Sequence, residues 1–224
     1  MAEIKRPDGR KYNETRPVKA LVGIVPNADG SAMFSTGKTI AIASVFGPKE
    51  MHPQHARNPE KGTLRCNYNM LTFSVKDRTR PGPSRRSTEI SKITEWALAP
   101  AVDLSNYPNR VVDVHIKILQ ADAGTRCAGI NAAALALAHA GIPMKNMVSS
   151  MSAGKLDKTL VIDLDKDEED WEEGEGATDI PISMTDDSKI THLQLDGKIT
   201  TEQLKEAISL TKEACKGIYE IQKK

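Results

Sequence analysis

The sequence has few cysteines, few aromatic residues and no long apolar run. Its 224 residues include three cysteines, Cys66, Cys127 and Cys215, which form no CxxC pair and are odd in number. This pattern favours reduced, buried thiols in a cytoplasmic protein over a disulfide framework. Aromatic residues make up 4% of the chain, so the core must be built from aliphatic side chains and methionine.

No apolar stretch approaches the roughly 20 residues that a membrane-spanning helix needs. The first residues are charged and contain no apolar segment, so we expect no cleaved leader. The sequence thus predicts a protein without a membrane partner.

An excess of charge of one sign is also absent. The 31 basic and 30 acidic residues give a net charge of +1, which excludes a chain-wide basic surface for nucleic acid. The charges are instead separated along the chain. Residues 76–86 carry five basic side chains and one acidic one, whereas residues 163–175 carry nine carboxylates and one lysine. This separation indicates local binding sites.

Length and pattern predict one domain over residues 1–224, either a single large unit or a compact one built from two similar halves, with a core at about 10–150 and a second part at about 151–224. Both parts have strands first and a helix last, which permits a pseudo-repeat. Ser87 is the predicted N-cap of the first helix, and Thr200 and Gln203 predict a capping box for the last. Strands are predicted at 18–25, 31–35, 39–46, 64–74, 112–119, 160–164, 180–184 and 190–195, and a buried helix at 127–140.

Two short basic motifs stand at predicted helix starts. Gly124-Thr125-Arg126 joins a strand to a helix, and Arg85-Arg86 precedes another helix. A helix N-terminus offers free N–H groups and a partial positive charge, and arginine adds a fork that fits phosphate oxygens. These residues are therefore compatible with a phosphate or nucleic-acid site. The alternatives are a glycine turn with a solvated or interface arginine, and an ordinary basic loop.

A third motif is the acidic stretch from Asp163 to Asp170, which is followed by Trp171 and by Asp179 before Ile-Pro. Clustered carboxylates after a strand can hold Mg²⁺, which prefers oxygen ligands. Alternatively, one carboxyl can keep a raised pKa and act as a general acid. A solvated acidic loop is the remaining alternative.

Together the motifs resemble those of the RNase PH-like proteins. The similar segments occur in the family's order and are Arg6–Arg10, Asn27–Ser31, Phe46–Pro48, Arg85–Ser87 and Ala123–Gly129. The resemblance implies an α+β fold of two pseudo-repeated βαβ-type halves, like ribosomal protein S5 domain 2, with mixed sheets packed against helices. It also implies phosphorolysis of RNA from the 3′ end, which releases nucleoside 5′-diphosphates and in reverse adds 3′ tails.

Within the family, Leu64–Met70 and Arg80–Arg86 are similar to the catalytic branch of the archaeal exosome. The segment Leu193–Thr200 lacks the Gly-Thr-Ala-Glu-Gly-like sequence expected of bacterial RNase PH. The resemblance implies single-stranded RNA as substrate, a hexameric ring (a trimer of heterodimers) with an inactive homologous subunit, and S1/KH-type cap subunits. The alternatives are a homohexameric RNase PH that trims tRNA 3′ ends and a catalytically silent RNA-binding ring subunit.

The family's residue roles carry over position by position. The resemblance implies inorganic phosphate as co-substrate and Mg²⁺ or Mn²⁺ as the metal. It assigns phosphate binding to Arg86, Gly124, Thr125 and Arg126, and RNA contacts to Arg85, Arg86, Arg65 and Arg57.

The family's catalytic carboxylate before a hydrophobic-Pro pair matches Asp179, and its partner normally lies six residues earlier. That position is Glu173 here, whereas the Glu-Asp pair that normally supplies the partner matches Glu169 and Asp170. The difference implies an insertion of about three residues around 172–176. We expect Asp170 and Asp179 to be the catalytic and metal-binding pair, with Glu169 and Glu173 as alternatives to Asp170.

Overall fold

The computed structural model describes residues 6–171, 174 and 176–224, and these residues form two β-sheets with helices around and between them. No helix in this part of the chain is long and apolar enough to cross a membrane. The elements are, in chain order, β1 (Val18–Val22), β2 (Gly30–Thr36), β3 (Thr39–Glu50), a 3₁₀ helix (Gln54–Ala56), β4 (Thr63–Met70), α1 (Arg85–Leu98), β5 (Arg110–Gln120), α2 (Thr125–His139), β6 (Val148–Leu156), β7 (Thr159–Ile162), α3 (Lys166–Glu169), β8 (Ala177–Thr185), β9 (Ile190–Leu193) and α4 (Thr201–Gln222).

The two sheets differ in strand direction. The first has the order β1-β2-β3-β5-β4, and its β4 and β5 are parallel strands joined through α1 in a βαβ crossover. The second has the order β7-β6-β8-β9, and its pairs are antiparallel. The predicted α+β class is confirmed. Within the described residues, the parallel crossover occurs in the first half alone.

Helix α2 lies between the sheets. It packs on β2 and β3 of the first sheet and on β6 of the second. Its small apolar residues are buried on nearly every side, which confirms the predicted buried helix. Gly30 on β2 permits the close approach, because a Cβ at this position would lie 2.4 Å from the carbonyl oxygen of Ala136.

The central strand of the second sheet, β6, was not predicted from the sequence. Its residues are all buried, yet serines make it look like a loop. Each buried hydroxyl has a tertiary partner: Ser149 donates to Gln222 Oε1 at 2.9 Å, and Ser150 donates to the carbonyl of Ile182 at 3.1 Å. Buried polar groups are tolerated when they are hydrogen-bonded, and these partners lie far away in sequence.

Helix α1 begins earlier than expected. The prediction that Ser87 is its N-cap is wrong, because Ser84 holds that position. The Ser84 hydroxyl accepts from the Ser87 N–H at 3.0 Å, and the Ser84 N–H donates to Ser87 Oγ at 2.7 Å. This reciprocal pair is a capping box built from two serines. Arg85 and Arg86 therefore lie in the first turn of α1. The box predicted for Thr200 and Gln203 is confirmed.

Substitution of Gly30 tests the approach of β2 to α2. Gly30→Ala is expected to lower the free energy of unfolding by about 1–3 kcal/mol, because the new methyl group overlaps the α2 backbone. The control is Gly217→Ala on the exposed side of α4, where a methyl group meets nothing within 4 Å. This change is expected to raise the free energy of unfolding by up to about 1 kcal/mol through helix propensity. Urea unfolding followed by circular dichroism measures both. A fully stable Gly30→Ala protein would contradict the close packing.

Candidate active site

Residues from both halves of the chain meet in one cavity of about 320 Å³, a size typical of small-ligand sites. The first half contributes the end of β4, the first turn of α1 and the start of α2. The second half contributes the middle of β6, helix α3 and the start of β8. Five residues singled out from the sequence line this cavity together: Arg86, Gly124, Thr125, Arg126 and Asp179.

The start of α2 offers free N–H groups to the cavity. Its N-cap is Gly124, in the left-handed region with φ 63°, and no side chain caps the helix. The preceding Ala123 also has a positive φ of 56°. Thr39 holds this loop in place, because its hydroxyl donates to the Ala123 carbonyl at 2.7 Å and accepts from the Asp122 N–H at 2.9 Å. An uncapped helix N-terminus of this kind favours anions.

Two arginines add positive charge. Arg86 is exposed in the first turn of α1, and Arg126 lies in the first turn of α2. Arg126 donates to the side-chain oxygen of Gln194, whose amide group donates to Glu89 Oε1 at 3.2 Å. No sequence pattern predicts this contact of Gln194, because the residue follows β9 and reaches Arg126 only through the tertiary fold.

Asp179 is partly buried at the start of β8. Burial raises the pKa of its carboxyl group, and the negative charge of Glu169 raises it further. A hydrogen bond from the Ser152 hydroxyl and the charge of Arg126 act in the opposite direction, but the pKa stays above its ordinary value. Ser152 lies on the unpredicted strand β6, so the sequence analysis missed it.

Of the three candidates for the carboxylate that acts together with Asp179, Glu169 lines the cavity. Asp170, the expected residue, does not line the cavity. Its side chain is 63% exposed and accepts from Lys166 Nζ at 2.6 Å. Successive residues of a helix point about 100° apart, so Glu169 and Asp170 face different directions. Glu173 lies outside the described residues.

The remaining predicted RNA contacts lie away from the cavity or at its edge. Arg85 is exposed beside Arg86. Arg65 lies five residues before the cavity end of β4, about 16 Å along the strand, and forms a bidentate pair with Asp113 at 2.6 and 2.9 Å. Arg57 donates to the carbonyl of Met51 at 3.1 Å. Arg65 also donates to the carbonyl of His52 at 3.3 Å, next to the Met51 carbonyl, so the two arginines lie near the same backbone segment and outside the cavity lining.

The cavity carboxylates suit a magnesium ion. Among the described residues, no group of three or more His, Cys, Asp or Glu side chains could hold a metal by itself. Mg²⁺ commonly takes one or two carboxylates and completes its shell with substrate phosphates and water. Glu169 and Asp179 supply two carboxylates to the cavity that the start of α2 also lines, which fits that requirement. Lys166 Nζ lies 3.3 Å from the Glu169 carboxylate and would have to give up this contact.

Comparison with known sequences assigns the chain to a family. The domain 1 profile of the RNase PH 3′ exoribonuclease family matches residues 14–143, and its domain 2 profile matches residues 146–214. The chain belongs to the RNase PH family. This confirms the resemblance drawn from the motifs at Arg6–Arg10 and Ala123–Gly129.

Among RNase PH family members, the chain is similar to the exosome complex component Rrp41 of two archaea. The Thermococcus kodakarensis protein is 49% identical over 98% of this chain and 87% of its own length. The Pyrococcus furiosus protein is 48% identical over 98% of this chain and 86% of its own length.

Solved structures confirm the RNase PH family fold. Rice (Oryza sativa) Rrp46 superposes with a TM-score of 0.85 at 24% identity, covering 97% of this chain and 98% of that one. A chain of the Archaeoglobus fulgidus exosome, solved with RNA bound to the active site, superposes with a TM-score of 0.84 at 22% identity, covering 96% and 92%.

Paired substitutions at the end of α3 and at its C-cap, Asp170, test which carboxylate acts in the cavity. Glu169→Gln is expected to lower kcat for RNA shortening about 100-fold, because it removes a negative charge from the cavity lining. Asp170→Asn is the matched control and is expected to change kcat by no more than about twofold, since it breaks one surface ion pair. Steady-state kinetics on end-labelled RNA measures both. The reverse order of effects would assign the role to Asp170.

The burial of Asp179 predicts that a substitution which lowers activity at this position raises stability. The pKa of its carboxyl is raised in the folded protein. Above that pKa, ionisation lowers the free energy of unfolding, because the same carboxyl ionises more easily in the unfolded chain. Asp179→Asn removes this cost and is expected to raise Tm at pH 7 while lowering activity. The gain should vanish below about pH 4, where the wild-type carboxyl is protonated in both states. Calorimetry across this pH range measures it. A variant with a lower Tm than wild type at pH 7 would contradict this account.

Proposed function

We propose that the chain is a phosphate-dependent 3′-to-5′ exoribonuclease and the active subunit of an exosome ring. The observation that carries the proposal is the single cavity in which an uncapped helix N-terminus, two arginines and two carboxylates converge. RNase PH family membership and the likeness to archaeal Rrp41 proteins support the same activity.

Inorganic phosphate binds at the start of α2 in this proposal. The N–H groups of the first turn and the Thr125 hydroxyl donate to its oxygens, while Arg86 and Arg126 balance its charge. Phosphate and the last RNA diester are both anionic, so they repel each other. Positive groups fixed before the reaction offset that repulsion without reorganising.

The reaction exchanges one phosphate linkage for another. An oxygen of inorganic phosphate attacks the phosphorus of the terminal diester, and the bond from that phosphorus to the 3′-oxygen of the shortened RNA breaks. The departing oxygen takes a proton, which Asp179 can hold because burial raises the pKa of its carboxyl. The product is a nucleoside 5′-diphosphate. The bond formed resembles the bond broken, so an excess of diphosphate reverses the reaction and adds a tail.

Glu169 would hold Mg²⁺ in this site, and the ionised form of Asp179 would be its second ligand; this role is the alternative to that of proton donor, since a protonated carboxyl does not bind the ion. The ion would supply positive charge next to the reacting phosphate oxygens. The assignment of Glu169, in place of the expected Asp170, is supported by its position in the cavity lining.

Single-stranded RNA approaches along basic residues in this proposal. Arg78 and Arg80 are exposed, as are Arg85 and Arg86, in the segment that leads to the cavity. Their contacts to RNA phosphates would make binding salt-dependent. Arg57 and Arg65 would contact the RNA further from its 3′ end.

Assembly into a ring has support from the edges of the two sheets. Leu21 and Val22 on edge strand β1 are each 54% exposed, and edge strand β9 presents Ile190 and Leu193. Two distinct apolar edges suit a closed ring, in which each subunit uses two different faces. We propose a six-membered ring with an inactive homologous subunit, S1/KH-type caps and a cytoplasmic location, in keeping with three buried free cysteines.

Product analysis with a charge-reversal variant tests the function. Wild-type complex with Mg²⁺ and end-labelled single-stranded RNA is expected to shorten the RNA only when phosphate is added, and to release nucleoside diphosphates. Arg126→Glu is expected to abolish this activity, because it places a negative charge against phosphate. Arg110→Glu is the control, since Arg110 is exposed and outside the cavity.

The products separate the alternatives. Monophosphates formed with or without phosphate would contradict phosphorolysis. No shortening by the intact complex would indicate a silent ring subunit. A wild-type rate in Arg126→Glu would remove the phosphate assignment.

A further inference from the structure

We propose that Arg16 is a positioning residue that fixes the phosphate-binding start of α2 relative to the carboxylates of the second half. This inference rests on the proposed function, since it concerns the geometry of the same site. Arg16 precedes β1 and lies outside the cavity lining.

Arg16 forms a bidentate ion pair with Asp163, which follows β7. Its Nε and Nη2 atoms donate to the two carboxylate oxygens of Asp163 at 2.9 and 2.6 Å. Its backbone N–H donates to the same carboxylate at 2.7 Å. Both residues are buried, at 6% and 2% exposure. A bidentate pair of this kind fixes direction as well as distance.

The other side of the guanidinium group touches the phosphate-binding loop. Arg16 Nη1 donates to the carbonyl oxygen of Asp122 and lies 3.6 Å from its carboxylate. Arg16 Nη2 also packs against Gly124, because a Cβ on that glycine would lie 3.4 Å from it. One guanidinium group therefore holds the loop that presents the α2 N-terminus.

Asp163 is connected to both cavity carboxylates, Asp179 and Glu169, through short series of contacts. Its backbone N–H donates to the Ser152 carbonyl at 2.8 Å, and the Ser152 hydroxyl donates to Asp179. Asp163 has a left-handed φ of 59° and lies two residues before Asp165, the N-cap of the helix that bears Glu169. The position of Asp163 thus affects the position of Asp179 through Ser152 and that of Glu169 through α3.

Two more arginines hold the same backbone group. The carbonyl of Asp163 accepts from Arg6 Nη2 and from Arg10 Nη1, each at 2.9 Å. Arg6 also pairs with the buried Glu168 at 2.6 Å. These contacts hold α3 against the N-terminal segment, but only Arg16 also contacts the phosphate-binding loop among these three arginines. Arg16 is therefore the residue whose change should alter the distance between the two parts of the site.

The test is Arg16→Lys in the full chain within its native complex. Lysine keeps the charge but cannot donate to both Asp163 oxygens and the Asp122 carbonyl at once. The KM for phosphate is expected to rise and kcat to fall, each by about tenfold or more, because small misplacements of reacting groups slow catalysis strongly. The Kd for single-stranded RNA without phosphate is expected to stay unchanged, since Arg85 and Arg86 are not displaced.

A double-mutant cycle tests whether the two residues act as one link. Asp163→Asn alone should resemble Arg16→Lys, and the double variant should lose little more than the worse single variant. Gln222→Ala is the matched control for loss of buried hydrogen bonds, because Gln222 binds Ser149 and Val148 at the far end of β6. It should lower Tm without changing the KM for phosphate.

Two results would overturn the inference. The first is a wild-type KM and kcat in Arg16→Lys. The second is a loss of activity that follows only the folded fraction, as in the Gln222→Ala control, with KM for phosphate unchanged. Failure of the proposed function looks different, because the wild-type complex itself would then release no nucleoside diphosphate.

Discussion

The structure depends on the packing of one helix between two sheets. The small side chains of α2 allow β2 and β3 on one side, and β6 on the other, to approach the same helix. Close packing of this kind leaves little freedom to shift. The N-terminus of α2 is therefore held in a fixed place, and residues from the second half can be arranged around it. The active cavity follows from this packing, since its lining comes from both sides of the helix.

Buried charges in this protein are arranged in compensated groups. The N-terminal arginines Arg6, Arg10 and Arg16 surround Glu168 and Asp163, and carbonyl groups accept their remaining N–H groups. Removing one partner of such a group would leave an unpaired buried charge, which is strongly destabilising. The same group joins chain segments that are about 150 residues apart. Charge pairing thus contributes to the position of α3 as well as to the stability of the fold.

The sequence predicted the parts of the site that lie in short continuous motifs. The motifs predict Arg86, Gly124–Arg126 and Asp179 as site residues, and the structure brings them to one cavity. Local sequence rules gave a wrong N-cap for α1, because two nearby residues both suit that position. Ser84 and Ser87 are both good N-caps, and the reciprocal hydrogen bonds decide between them. Strand β6 was not predicted for another reason: its buried serines are hydrogen-bonded to residues far away in sequence, which no local pattern reveals.

By itself, the sequence determined the family, and with it the α+β class, through the resemblance of its motifs to those of RNase PH-like proteins. It determined the buried helix and the basic motifs because these depend on local composition and periodicity. Only the tertiary structure decided that Glu169 lines the cavity while the Asp170 side chain is exposed, because that choice depends on how a four-residue helix is rotated against its neighbours; Lys166 pairs with both carboxylates. It also decided the contacts of Ser152 with Asp179, of Gln194 with Arg126 and of Arg16 with Asp163. These residues are ordinary in sequence, and their roles arise because folding places them against partners from distant segments.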